Sequence, residues 1–147
     1  HDSLRPLVPE GRRKMRKAAK GLLRLEPELG VLATSPFLRA VQTADILAER
    51  FGKTPVEVKG LAADQEPKRL LPWLKRHGSA GKAVVAAVGH EPYLGRLVSL
   101  LLAGREGAFL ELKKGGACLL EFTGPIAPGR SRLLWALTCA QLRRIGG

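Results

Sequence analysis

Apolar residues recur along this chain in two alternating periods. Residues 9–25 carry Met15, Ala18, Ala19, Leu22 and Leu23 at helical spacing, with basic residues on the opposite face. Residues 30–34 form a short apolar run that reads as a buried strand. The helical period returns over residues 37–51 through Phe37, Val41, Ala44, Leu47 and Ala48, and Gly52 stops it. A short strand is predicted at 55–58. A loop with Asp64 then leads to a helix at 66–76, interrupted at Pro72 and ended by Gly78. Residues 82–88, Lys-Ala-Val-Val-Ala-Ala-Val, read as a strand covered on both faces. A helix follows at 93–102. Two late strands, 117–122 and 132–137, flank a turn rich in Gly and Pro, and a short helix at 139–144 closes the chain.

Strands alternating with helices predict an α/β fold. The expected form is a single three-layer α/β/α domain over residues 1–147, with a mostly parallel central sheet. A length of 147 residues suits one domain with a sizeable core. No repeat, long linker or low-complexity tract interrupts it, and no apolar run is long enough to span a bilayer.

Two strand-to-helix junctions carry the candidate chemistry. At the first, the strand 30–34 gives way to Ser35-Pro36-Phe37-Leu38-Arg39, which places Arg39 in the first turn of a helix. At the second, the strand 82–88 ends in Gly89-His90-Glu91-Pro92, with Gly89 expected to allow a sharp turn. In open α/β sheets, ligands bind outside the carboxyl ends of the strands. Helix N-termini attract anions, and arginine adds a planar, permanently charged fork suited to phosphate. The pair Arg39 and His90 therefore suggests an oxyanion site for phosphoryl chemistry.

Taken together, the decapeptide from Ser35 to Ala44 (SPFLRAVQTA) and the pentapeptide Val88-Gly89-His90-Glu91-Pro92 resemble the histidine phosphatase superfamily. The SixA-type phosphohistidine phosphatases are the nearer branch. The stretches Leu4 to Gly11, Leu112 to Gly116 and Leu133 to Leu137 extend that resemblance over nearly the whole chain. It implies a phosphoglycerate-mutase-like fold and a metal-independent hydrolase of phosphoric monoesters or phosphoramidates. The implied substrate is protein phosphohistidine, and the implied reaction runs through a covalent phosphohistidine intermediate. The family opens with a strand running into Arg-His-Gly, whose histidine is the nucleophile. His1 does not align with it, so the resemblance places that strand upstream of this chain. Arg39 and His90 are the implied catalytic residues, and His90 could pass a proton to the leaving group. Arg5, Ser35 and Gly89 are candidate substrate contacts, although Arg5 fits a loop-bracing role equally well. No cofactor is expected. The expected partners are a phosphorylated protein of the histidine-phosphotransfer type or a small phosphorylated substrate, with phosphate or another oxyanion in the site.

Charge adds a second feature. Lys and Arg number 25 against 13 Asp and Glu, a net charge of +12. Much of it lies on Arg12, Arg13, Lys14, Arg16, Lys17, Lys20 and Arg24. This face is either solvated surface or a device for attracting an acidic partner. Nucleic acid is disfavoured, because few aromatics are available for base stacking and no recognition motif appears. A membrane surface is disfavoured too, since the helix's apolar side lacks Trp and Phe. Cys118 and Cys139 have no CxxC spacing and suit the reducing cytoplasm. His77 reads as a helix end, Lys113 and Lys114 as a solvated turn, and Asp64 and Glu66 as loop and cap residues. Two other functions compatible with the sequence are an inactive phosphate-binding or interaction domain of the same fold, and a basic module for nucleic acid or an acidic protein.

Overall fold

A computed structural model describes residues 1–78 and 84–147. Its centre is strand β1, Val31–Thr34, which pairs in parallel with β2, Val56–Glu57, on one side and β3, Val85–Val88, on the other. The predicted start of β3, Lys82 and Ala83, lies outside the described residues. Helices cover both faces of this sheet. On one face, α1 (Pro9–Leu25), α2 (Leu38–Phe51) and α5 (Cys139–Gly146) enclose a core of Met15, Ala18, Ala19, Leu32, Leu47 and Leu142. On the other, α3 (Leu71–Gly78) and α4 (Tyr93–Ala103) enclose Ala33, Leu61, Leu70, Tyr93 and Leu97. Leu32 and Ala33 thus point to opposite cores, as successive strand residues must.

The helix limits follow local chemistry. α1 begins with Pro9 at a position where a missing N–H costs nothing, and Val8 provides no side-chain cap. α2 and α4 end on Gly52 and Gly104, both left-handed, at φ 65° and 83°. The helix expected at 66–76 is divided. A 3-10 turn, Pro67–Leu70, precedes α3, and Pro72 stands in the first turn of α3 rather than interrupting it. Further 3-10 turns at Asp2–Leu4 and Lys59–Leu61 are too short to leave a periodic signal.

The remaining strands, β4 (Ala117–Phe122) and β5 (Ser131–Leu137), form an antiparallel hairpin of their own. The parallel part of the fold is therefore three strands. Among the described residues, β3 hydrogen-bonds only to β1, and β4 only to β5. Residues of both strands nevertheless pack into the same two cores: Ala86, Val88 and Ala117 into one, Ala87, Leu120 and Phe122 into the other. Every residue of β3 and of β4 is only half-buried. Strands with helices on both faces are normally well buried, and among the described residues each of these two pairs with a single strand.

α1 and α5 pack closely where Gly21 meets Gly146. A Cβ on Gly21 would collide with the Leu142 carbonyl oxygen, and the obstacle is backbone. Gly21→Ala is therefore expected to destabilise the protein by about 1–3 kcal/mol, the usual cost of overpacking, measured by chemical denaturation. Unchanged stability would mean that the two helices are not in contact there.

Candidate active site

The pairing of β1 with β3 sets the site's geometry. Thr34 lies opposite Val88, and the Ser35 N–H donates to the Val88 carbonyl at 2.9 Å. The residues following the two strands, Ser35 and Gly89-His90, therefore emerge side by side at the carboxyl edge of the sheet. Ser35 is fully buried. Its Oγ lies 2.7 Å from His90 Nε2 and accepts the Phe37 N–H at 3.2 Å. The Phe37 ring packs on the His90 ring with centroids 5.0 Å apart, tilted by 52°. A hydrogen bond on one edge and an aromatic contact thus hold the imidazole.

Arg39 stands half-exposed in the first turn of α2. Among the described residues, no carboxylate lies within ion-pair distance of its guanidinium. No side chain caps the N-terminus of α2. An unneutralised cation and open N–H groups at one helix end favour an anion. Arg39 and His90, predicted from separate motifs, are close enough to interact electrostatically. Burial pushes the His90 pKa below its ordinary value; the charge of Arg39 acts in the same direction, and Asp2 opposes it.

The other predicted residues take different places. Ser35 has no exposed surface, and its hydroxyl is engaged by His90. Arg5 is exposed and donates to Asp2 Oδ1 at 3.2 Å, a bond that braces the N-terminal turn. Gly89, expected to allow a sharp turn, does so without a positive φ. Its missing side chain also leaves room for Leu94, whose Cδ2 would be 3.3 Å from a Cβ. His77 stacks on Trp73 at 4.4 Å. Lys113 and Lys114 are exposed, and Glu66 accepts from Arg96. Among the described residues, no group of three His, Cys, Asp or Glu side chains could hold a metal ion. Among the described residues, no helix is long and apolar enough to cross a membrane.

Two supporting residues escaped the sequence analysis. The Glu91 carboxylate accepts the N–H of Gly95 and, at 2.9 Å, that of Leu112, so it ties the segment after α4 to the His90 corner. Gln42 Oε1 accepts the Leu7 N–H at 2.7 Å and fastens the N-terminal segment to α2. Both lie inside the motifs already singled out, but their partners are distant in sequence and left no local signal.

The His90 shift can be tested by an NMR titration. Its folded-state pKa lies below the unfolded value of 6.5, so the fold favours the neutral ring. The stability this residue contributes is complete above pH 6.5 and is lost as the pH falls through the folded-state pKa. The His90 resonances are expected to titrate below 6.5, and a midpoint above that value would contradict the buried environment described here.

Comparisons with known proteins bear on the family and the fold. A family profile described as "Histidine phosphatase superfamily (branch 1)" matches residues 4–65. An uncharacterized protein of Picosynechococcus sp. (strain PCC 7002) is 38% identical over 116 residues, covering 78% of this chain and 70% of that protein. Among solved structures, the protein histidine phosphatase SixA complexed with tungstate is similar with a TM-score of 0.83 and 24% identity, over 97% of this chain and 89% of that one. A SixA-type protein of Agrobacterium tumefaciens gives a TM-score of 0.68 at 18% identity, over 94% and 86% of the two chains. A mycobacterial glucosyl-3-phosphoglycerate phosphatase bound to inorganic phosphate gives 0.73 at 16% identity, over 91% and 88%. The fold is thus that of the phosphoglycerate-mutase-like proteins, and the chain belongs to the histidine phosphatase superfamily.

Proposed function

We propose that this chain is the larger part of a phosphatase that cleaves a phosphoryl group, that of protein phosphohistidine, through a covalent phosphohistidine intermediate. The observation that carries the reading is the unneutralised Arg39 beside a held His90 at adjacent strand ends. Phosphoryl transfer depends mostly on positioning and on stabilising charge on the equatorial oxygens. Arg39 supplies permanent charge for that purpose, the α2 N-terminus supplies N–H groups, and the His90 imidazole supplies one more donor.

The nucleophile is the remaining requirement. In this reading it belongs to a strand that precedes residue 1, carries Arg-His-Gly and lies parallel to β3 between β3 and β4. Two features support that position: β3 and β4 are half-buried, and they share both cores without pairing with each other among the described residues. Such a strand would end level with Gly89 and His90. Its histidine nitrogen would attack phosphorus as the bond to the leaving group breaks. Water would then cleave the phosphorus–nitrogen bond, releasing phosphate and restoring the histidine. The exposed cations of α1, among them Arg16, Lys17 and Lys20, favour an acidic phosphoprotein as the substrate, through faster association.

Two experiments test the reading. Calorimetry of residues 1–147 with vanadate should show binding in the millimolar range or tighter, weakened at least tenfold by Arg39→Ala and by His90→Ala. Binding unchanged in both variants would remove the site assignment. The chain extended by the residues encoded before His1 should dephosphorylate phosphohistidine without added metal and in the presence of EDTA. Strict dependence on a divalent ion would indicate a different chemistry.

A further inference from the structure

The hydroxyl of Ser35 has a restricted set of partners. The residue has no exposed surface. Around Oγ stand the Phe37 N–H, which can only donate, and His90 Nε2 at 2.7 Å. The Phe37 bond occupies one lone pair of the oxygen. Among the described residues, Nε2 is the one acceptor recorded for the Ser35 proton. Were Nε2 protonated instead, it would donate to Oγ, and the serine proton would be buried without an acceptor. An unmet buried donor costs about 1–3 kcal/mol. Satisfying both groups requires Ser35 to donate and Nε2 to accept. The bond at one histidine nitrogen fixes the proton on the other.

We propose that Ser35 is a positioning residue for His90: its hydroxyl holds the resting imidazole neutral, with the proton on Nδ1. This deepens the phosphatase reading above and rests on it. Among the described residues Nδ1 has no protein partner, so its N–H is the edge left for a phosphoryl oxygen. The charged groups that act on this ring are Asp2, from the N-terminal 3-10 turn, and Arg39, from α2; Phe37 contributes an uncharged contact. A neutral imidazole does not release its last proton near neutral pH. His90 therefore serves as a hydrogen-bond donor to the transferring group, with Arg39 carrying the charge, rather than as the proton donor expected from the sequence. The same bond changes the part assigned to Ser35: it acts through His90 and does not touch the substrate.

Nitrogen-15 NMR reads the tautomer directly. The chain has three histidines, and His77→Gln and His90→Asn identify the His90 signals. At a pH above the His90 transition, the wild-type protein should show a protonated Nδ1 and a bare Nε2, the reverse of the form a free histidine side chain prefers in water. A protonated Nε2 overturns the proposal whatever the variants do. Ser35→Ala should move the tautomer ratio toward Nε2–H by about fivefold or more, the effect of one net hydrogen bond, and should raise the His90 pKa. A folded Ser35→Ala with an unchanged ratio also overturns it. If Ser35→Ala does not fold, Ser35→Thr keeps the hydroxyl and should keep the wild-type tautomer; loss of that tautomer in a folded Ser35→Thr counts against the proposal. Vanadate binding separates the two claims. Vanadate that ignores Arg39 and His90 sinks the phosphatase reading and leaves the tautomer standing, whereas a wrong tautomer with vanadate at the site does the opposite.

Discussion

The register of β1 against β3 is the constraint on which the site depends. Because Thr34 lies opposite Val88, the chain leaves both strands at the same level. One parallel pairing thereby brings together a serine, a histidine and an arginine that are up to 55 residues apart in sequence. A slip of one residue would turn each side chain to the other face of the sheet. Ser35 would then leave His90, and Leu32 and Ala33 would exchange cores. The packing of two hydrophobic cores therefore protects the geometry of the polar corner.

Around that register the structure is fastened by bonds between distant segments. Glu91 ties His90's own turn to Gly95 and Leu112, and Gln42 ties the N-terminal segment to α2. Arg39 has no such tie to a carboxylate among the described residues. The groups that shape the corner are thus satisfied by protein, while the group suited to an anion is left available. β3 and β4 repeat this contrast on a larger scale: both contribute to the cores on either face, yet among the described residues each pairs with a single strand.

Much of the fold was legible in the sequence because its signals are local. α1 runs over the predicted residues 9–25, and β4 over the predicted 117–122, since amphipathic period and flanking Gly and Pro mark their ends. Arg39 and His90 were legible because each sits at a strand-to-helix junction within a compact motif. Pairing was not legible. Among the described residues the parallel pairing joins three strands and β4 pairs with β5, partnerships that no periodicity records. Ser35 was identified as a candidate, but its contact with His90 was not, because its burial and the approach of the two side chains emerge only when β1 and β3 are side by side. Gly89 was read as allowing a sharp turn, and its lack of a side chain also makes room for Leu94, a packing fact invisible from residue type.

The central claim is that one oxyanion site lies at the corner shared by Arg39 and His90. The most direct measurement is a crystal structure of the protein soaked in tungstate, with the metal located by its anomalous scattering. The account predicts a single strong peak whose oxygens lie within hydrogen-bond distance of both the Arg39 guanidinium and His90 Nδ1. A peak elsewhere, with this corner empty, would contradict it.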